Sequence, residues 1–377
     1  MAIIKNVRVF NGEVFTPVTA VEFEDGIITN MYEKCDSPDA LDGNGCILAP
    51  GFVDTHIHGS FGRDVLTPGG TDFLADNLPK VGTTSYCPTN ATDTLENINH
   101  FLGEVSEAKK RDHGTRVLGA HIEGPFFGLD NRGSHAIPLL KDPTMDNYKK
   151  MTGQYEDAIV RFSVAPEKEG AMELIPYLVK KGIVVSAAHT DSTAPIMEEA
   201  IAKGVTISTH TFNGFYPFHH RNECSIGVVL TDDRITCEFI PDLQHINKYA
   251  ARLIMKAKGF EKTFLCSDSL EPGQMPDGDY QLAGSKVVVK NHIARLAEDG
   301  RLAGSTISIL DGVRNLVFKV GIPLDKALRM GTENAANSIN RLDIGRIKIG
   351  CKADFILLDD DLDLRMTVIR GNTEYTA

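Results

Sequence analysis

The sequence predicts an α/β protein: a (β/α)8 TIM-like barrel with a small β-sandwich domain that both chain ends build. Short apolar stretches alternate with helical stretches through the middle of the chain, which is typical of a parallel sheet. Eight such apolar stretches occur, and their spacing of roughly 20 to 45 residues leaves room for a helix after each one. The two ends of the chain show only β patterns.

The small domain is predicted to comprise residues 1–49 and 345–377. Alternating or β-branched stretches at 3–10 and 20–24 are followed by the turn signals Asn11-Gly12 and Asp25-Gly26. Stretches of the same character occur at 353–358 and 366–372. Because so short a β segment cannot easily bury a core alone, the two ends are expected to pair, with the barrel (50–344) inserted between them.

The barrel strands are predicted from apolar runs that each end in a polar residue. Their predicted bounds are Phe52–His58, Thr83–Pro88, Val117–Glu123, Val160–Pro166, Val184–His189, Thr206–His210, Ile235–Ile240 and Thr263–Asp268. The predicted helices include Ala171–Lys181, Ala194–Lys203, Asn247–Lys258, Asp311–Val320 and Pro323–Ala336. The loops Gly124–Pro138 and Gly214–Gly227 are long enough to shape a substrate pocket.

The first predicted strand ends in His56-Ile57-His58. Successive side chains of a strand point to opposite faces, so these two imidazoles share one face. Such a pair can hold one divalent cation, although two loop histidines held by hydrogen bonds would give the same pattern.

Other strand ends carry further candidate ligands. Glu123, His189, His210 and Asp268 each end an apolar run, and the active sites of (β/α)8 barrels lie at this end of the strands. Each residue has an alternative role: His189 or His210 as a hydrogen-bonded histidine, Glu123 as a loop ion-pair partner, Asp268 as a helix cap. Together they form the residue set of a hydrolytic metal site.

Charge and cysteine content exclude several classes of protein. A formal net charge of −12 argues against a general affinity for nucleic acid or for anionic membranes. The 7 cysteines are scattered and contain no C-x-x-C pair, which suits free thiols in a reducing cytoplasm. No signal peptide and no apolar run of bilayer-spanning length is apparent. We therefore expect a cytoplasmic protein without a membrane or nucleic-acid partner.

Motifs along nearly the whole chain resemble the amidohydrolase superfamily, and more closely the N-acetylglucosamine-6-phosphate deacetylases. The H-x-H at His56 and His58 and the final Gly350-Cys351-Lys352-Ala353-Asp354 are typical of the superfamily. The motifs typical of the deacetylases include His121–Phe126, Ala188–Thr190, Thr209–Gly214, His219–Arg221, Ser267-Asp268 and Leu302–Ser305.

The resemblance implies a role for each matching residue. It implies that Glu123, His189 and His210 hold one catalytic divalent ion, zinc or iron. It implies that His56 and His58 stand where some members bind a second ion, with Glu123 bridging. Asp268 matches the general base and acid, and His245 matches the histidine that contacts the acetyl group. The positions that match substrate-binding residues are Ser134, Asn213, Gly214, Arg221, His245, Leu302, Ala303 and Gly304.

The resemblance also implies a sugar-phosphate substrate and a homodimer with both subunits near the phosphate. Arg221 follows two histidines in a pocket-forming loop, and guanidinium binds phosphate through paired hydrogen bonds. Three substrate loops depart from the common pattern of the family: Asn213-Gly214-Phe215, Arg221–Cys224 and Pro241–His245. Because of these departures, the galactosamine epimer remains an alternative substrate.

Two hypotheses compete with a sugar-phosphate deacetylase. A D-aminoacylase-like enzyme would often carry a carboxylated lysine after the fourth strand, where this chain has Ala165-Pro166-Glu167. A non-catalytic sugar-phosphate sensor on the same fold would be expected to lack Asp268 or a ligand, and this chain has them all. Metal-dependent deacetylation is therefore the favoured prediction.

Overall fold

The computed structural model describes residues 1–282 and 285–377, and within them eight parallel strands follow one another in chain order around a barrel. The Asp268 N–H donates to the His56 carbonyl at 2.9 Å, which nearly closes the ring between the eighth and first strands. The predicted barrel is confirmed. Its strands are Phe52–Ile57, Thr83–Asn90, Ala120–Glu123, Ile159–Val164, Val184–Ala187, Val205–Ser208, Thr236–Phe239 and Thr263–Leu265.

Helices follow the strands and cover the barrel with their apolar faces, which share one core with the strands. Polar caps fix where several helices begin: Thr94 accepts the Asn97 N–H, and Asn247 accepts the N–H groups of Tyr249 and Ala250. None of the helices in the described ranges combines the length and apolarity that crossing a bilayer requires. The helices that follow the eight strands are Gly70–Asn77, Leu95–Ala108, Met145–Thr152, Ala171–Lys180, Ala194–Lys203, Ser225–Thr231, Lys248–Lys258 and Ile309–Arg314.

Two predicted helices differ from those observed. The stretch predicted as one helix over Pro323–Ala336 forms two, Leu324–Gly331 and Glu333–Ser338, because Thr332 between them leaves helical geometry at φ −127° and ψ −92°. The helix predicted to begin at Asp311 begins at Ile309, since Ser308 and Asp311 form a capping box. It continues as a π-helical segment, Asn315–Val320.

A three-stranded antiparallel sheet lies between the eighth strand and the helix that follows it, and the sequence interpretation missed it. Its strands are Gly278–Leu282, Ser285–Lys290 and Ile293–Leu296. The second turn places Asn291 and His292 at φ 52° and 59°, the left-handed geometry of tight hairpin turns. The apolar run Val287–Val289 before this turn was the available signal.

Strands from both chain ends form two sheets that enclose a separate apolar cluster, which includes Phe23 and Phe355. The sheet that mixes the two ends contains Arg8–Val9, Ile47–Pro50, Phe355–Leu358, Leu364–Ile369 and Asn372–Thr376. The other sheet contains Ala2–Lys5, Ala20–Glu24, Ile27–Tyr32 and Leu41–Asp42. Asp354 ties the mixed sheet to the barrel by accepting from the Arg116 guanidinium at 3.2 Å.

Candidate metal centre and active site

Glu123 stands at the centre of a buried cluster at the carboxyl ends of the barrel strands. Its Oε2 lies 3.2 Å from Nε2 of His56 and 3.0 Å from Nε2 of His58. Its Oε1 lies 3.0 Å from Nε2 of His210 and 3.6 Å from Nε2 of His189. The structure therefore brings all five predicted ligands together, with the Glu123 carboxylate in the middle and a pair of imidazoles on each side of it.

The hydrogen-bond partner of Nδ1, the nitrogen that faces away from Glu123, determines the tautomer of each imidazole ring. The Nδ1 atom of His56 lies 3.0 Å from a carboxylate oxygen of Glu238. In each of the other three rings, Nδ1 lies 3.0 Å from a backbone carbonyl oxygen. Carboxylates and carbonyls only accept hydrogen bonds, so every Nδ1 carries a proton. In a neutral ring, Nε2 then presents its lone pair to the centre of the cluster, as a metal ligand must. The carbonyls belong to Thr89 (for His58), Asn131 (for His189) and Asn213 (for His210).

Asp268 closes the cluster from the eighth strand. Its Oδ1 lies 3.2 Å from Nε2 of His58 and 3.5 Å from Nε2 of His56. The backbone of Asp268, like that of His189 and His210, is left-handed, with φ values of 49°, 44° and 30° respectively. This conformation costs on the order of 1–3 kcal/mol per non-glycine residue, and three such residues meet at this one cluster.

The buried charges make this cluster favourable for a cation. Burial lowers the pKa of His58, but its hydrogen bonds to Asp268 and Glu123 outweigh burial and raise that pKa to about 9. Burial raises the pKa of Glu123, but the neighbouring imidazoles outweigh it and hold that pKa well below its usual value. Two imidazole nitrogens and two carboxylates, from His56, His58, Glu123 and Asp268, come within mutual ligand distance. This set of nitrogen and oxygen donors fits zinc or iron.

A cavity of about 170 Å³ opens onto the cluster. Because it reaches His58, Glu123 and Asp268 from the solvent side, a small molecule bound there would contact them directly. It is lined by six of the eight predicted substrate-binding residues, namely Ser134, Asn213, Gly214, His245, Leu302 and Gly304.

The other two predicted substrate residues lie elsewhere. Ala303 is fully buried and packs in a small apolar cluster with Leu270, so it supports the cavity wall without lining it. Arg221 lies outside the cavity lining, on the exposed stretch 216–223.

His245 is held in the cavity wall by an aspartate three residues earlier. Its Nδ1 donates to Oδ2 of Asp242 at 2.7 Å, and its backbone N–H donates to Oδ1 of the same carboxylate at 2.9 Å. Burial lowers the pKa of His245, but the bond to Asp242 outweighs it and raises that pKa above the ordinary value. The imidazolium form therefore persists to higher pH than in a free histidine.

His135 also lines the cavity, although the sequence interpretation did not select it. It lies on the loop after the third strand, and its ring contacts that of His189 with centroids 4.5 Å apart. The Thr92 N–H donates to its Nδ1 at 3.3 Å, so in the neutral ring Nε2 carries the proton and can act as a donor. His135 directly follows the predicted substrate residue Ser134, and this adjacency is the sequence signal that could have identified it.

The chain matches the amidohydrolase family over residues 47–374. It belongs to that family. This amidohydrolase is 32% identical to N-acetylglucosamine-6-phosphate deacetylase from Lysinibacillus sphaericus, with 98% of this chain and 96% of the relative covered. It is also 32% identical to N-acetylgalactosamine-6-phosphate deacetylase from Escherichia coli O157:H7, with 86% and 87% covered.

A solved structure agrees with these relatives. The crystal structure of N-acetylglucosamine-6-phosphate deacetylase from Thermotoga maritima aligns over 100% of both chains, with a TM-score of 0.91 and 29% identity. The resemblance stated from the sequence is thereby confirmed. The protein is a hydrolytic enzyme of a metal-dependent superfamily, and its buried cluster of histidine and carboxylate side chains can bind metal.

Proposed function

We propose that this amidohydrolase hydrolyses the N-acetyl amide of N-acetylglucosamine 6-phosphate to acetate and glucosamine 6-phosphate. The observation that carries the proposal is the group of four imidazoles whose Nε2 atoms converge on Glu123, beside the carboxylate of Asp268 and at the end of a cavity. The relatives named above catalyse this reaction, or the same reaction on the galactosamine epimer, according to their names.

The metal is proposed to be zinc or iron. Glu123, His189 and His210 would hold one ion, and His56 and His58 would hold a second one with Glu123 between them. When bound, such an ion supplies Lewis-acid chemistry, which makes water more acidic and an amide carbonyl more electrophilic.

Asp268 is proposed as the group that moves the proton. Its carboxylate faces the cluster on one side and the cavity on the other, so it can accept a proton from the attacking water. The protonated carboxyl can then deliver that proton to the amide nitrogen, which leaves as the neutral amine. Water adds to the carbonyl carbon, the C–N bond breaks, and acetate is the second product.

His245 is proposed to stabilise the charge that develops on the carbonyl oxygen. Because Asp242 accepts the proton of Nδ1, His245 can donate from Nε2 only as the imidazolium. The raised pKa keeps this form available near neutral pH. Removal of one such donor typically costs on the order of 100-fold in rate.

Sugar binding is assigned to the cavity wall, and phosphate binding to Arg221. Ser134, Asn213, Gly214, Leu302 and Gly304 would contact the sugar, with Ala303 behind them. Arg221 would have to bind the phosphate from the exposed stretch 216–223, so we also propose a homodimer in which this stretch lies near a phosphate. A cytoplasmic location suits the seven free cysteines.

The test is acetate release from three sugars: N-acetylglucosamine 6-phosphate, its galactosamine epimer, and N-acetylglucosamine without phosphate. We expect fast release from the first sugar and slow release from the unphosphorylated one. Faster release from the epimer would reassign the substrate. If none of the three is hydrolysed by protein of verified metal content, the proposed function is wrong.

A further inference from the structure

A buried ion pair fills the centre of the barrel directly beneath the metal cluster. Arg161 on the fourth strand and Glu238 on the seventh are both fully buried, and Nη1 of the arginine donates to Oε2 of the glutamate. Two charges without access to water are costly to bury unless their hydrogen bonds are satisfied. A well-packed apolar pair could fill the same space, so the function of this pair needs an explanation.

Glu238 makes contacts that its pairing with Arg161 does not require. Its Oε1 accepts from Nδ1 of His56 at 3.0 Å and from the backbone N–H of His210 at 3.1 Å. One carboxylate oxygen therefore contacts one residue from each pair of imidazoles around Glu123. His56 is the one member of the four whose Nδ1 partner is a charged side chain, whereas the other three donate to backbone carbonyls.

The arginine in turn holds Glu238 in place. Its Nε donates to Ser186 at 3.2 Å, and its Nη2 donates both to Thr209 at 2.9 Å and to Oε1 of Glu238 at 3.2 Å. These contacts come from the fifth, sixth and seventh strands, so the guanidinium is fixed from several sides. A carboxylate fixed in this way cannot rotate away from His56.

From this geometry we infer that Glu238 is a positioning residue that makes His56 a metal ligand, with Arg161 as its support. A carboxylate behind an imidazole fixes the ring orientation, keeps the proton on Nδ1 and makes Nε2 a stronger donor to a cation. Glu238 contacts the metal cluster only from below and lies outside the cavity lining. The inference rests on the metal site of the proposed function, and it deepens that proposal by separating the ion at His56 and His58 from the ion at His189 and His210.

The experiment measures zinc bound per chain by elemental analysis, after equilibration at a series of free zinc concentrations set by chelator buffers. No sugar is present, so the result is independent of the proposed reaction. For wild-type protein we expect two ions per chain. For Glu238→Gln we expect a 10- to 100-fold weaker affinity for one of the two ions, on the order of the effect of losing such a supporting partner. Glu198→Gln removes an exposed carboxylate and should leave both ions in place.

A second variant separates positioning from simple charge balance. Glu238→Gln alone leaves Arg161 buried and unpaired, so misfolding could imitate the loss of metal. The double variant Arg161→Gln/Glu238→Gln removes both charges, and its folding is checked by circular dichroism. If Glu238 positions His56, this folded double variant still binds the second ion 10- to 100-fold more weakly than wild-type protein. If Glu238 only neutralises Arg161, the double variant recovers two ions, and the inference is wrong.

A His56→Gln background gives the final control. If Glu238 acts through His56, adding Glu238→Gln to this background changes zinc affinity no further, because the two substitutions remove the same ligand. An additional loss would show that Glu238 acts elsewhere. Only one ion in wild-type protein would also overturn the inference, while acetate release by that same protein would leave the proposed function intact.

Discussion

The candidate metal centre and the proposed phosphate end of the active site differ in construction. At the metal end, the side chains are buried, each imidazole has a fixed partner for Nδ1, and three residues have strained backbones. At the phosphate end, Arg221 lies on a stretch whose aromatic side chains Tyr216 and Phe218 are 50% and 54% exposed. The barrel alone holds the metal ligands in place, whereas phosphate recognition calls for a further surface, which the proposed homodimer would supply. Substitutions at the metal end should therefore affect the rate, and substitutions at the phosphate end should affect substrate binding.

The largest effect is expected for Asp268→Asn. The side-chain amide of the introduced asparagine cannot accept the proton of the attacking water, so kcat should fall by about 1,000-fold. Metal content should stay unchanged, because the proposed ligands of both ions are the four imidazoles and Glu123, and all five remain. The matched measurement is kcat with elemental analysis on the same sample, and near-normal turnover would exclude Asp268 as the general base.

A smaller loss of activity is expected for Asp242→Asn, which tests the hydrogen bond from His245 to Asp242 in the cavity wall. Burial lowers the pKa of His245 and Asp242 raises it, so removing the carboxylate should lower this pKa. The imidazolium form would then be lost at lower pH. The falling alkaline limb of the profile of kcat/KM against pH should move to lower pH, with a loss of about 10-fold or more above neutrality. An unmoved limb would show that the titration of His245 does not limit the rate.

Removal of metal should make stability depend on pH. Burial lowers the pKa of His58, but the bonds to Asp268 and Glu123 outweigh it, and the folded-state pKa of about 9 lies above the ordinary value of about 6.5. The resulting stabilisation is fully present below pH 6.5 and is lost as the pH rises through 9. Metal-free protein should therefore show a falling Tm across this range. The Tm of metal-loaded protein should fall less over the same pH range, because the ion takes the place of the proton. Parallel curves of Tm against pH for the two samples would contradict this prediction.

The smallest effect is expected at the exposed end. Arg221→Ala should raise KM for the phosphorylated sugar by about 10-fold, because a charge-assisted hydrogen bond to phosphate at an exposed site is worth about 1.5 kcal/mol, the lower end of its usual range. The KM of N-acetylglucosamine without phosphate should not change. Arg221→Lys is the matched control, since it keeps the charge but loses the paired geometry. Equal effects on both sugars would remove the phosphate role.

Some of this architecture could be predicted from the sequence because it depends on local pattern. Each barrel strand is an apolar run, and the polar residue at its end reaches the cluster because parallel strands share one active end. His56, Glu123 and Asp268 were found in this way. The break at Thr332 was missed although the sequence carries a signal for it, because Gly331 weakens a helix and Thr332 is a favoured N-cap residue.

Other features depend on contacts between distant parts of the chain. Arg161 and Glu238 are charges inside apolar strands, and their pairing across 77 positions appears only when the barrel closes. His135 lies in a loop where no periodic pattern marks it. The exposure of Arg221 likewise depends on how the stretch 216–223 leaves the barrel, which residue type does not determine.

The buried cluster is proposed to hold the ion that amide hydrolysis needs. The most direct test strips the protein with a chelator, returns zinc or iron in steps, and measures bound ions and acetate release on each sample. We predict negligible release without metal, and a rate that rises with occupancy and saturates when the cluster is full. Full activity in protein that elemental analysis shows to be metal-free would contradict the account.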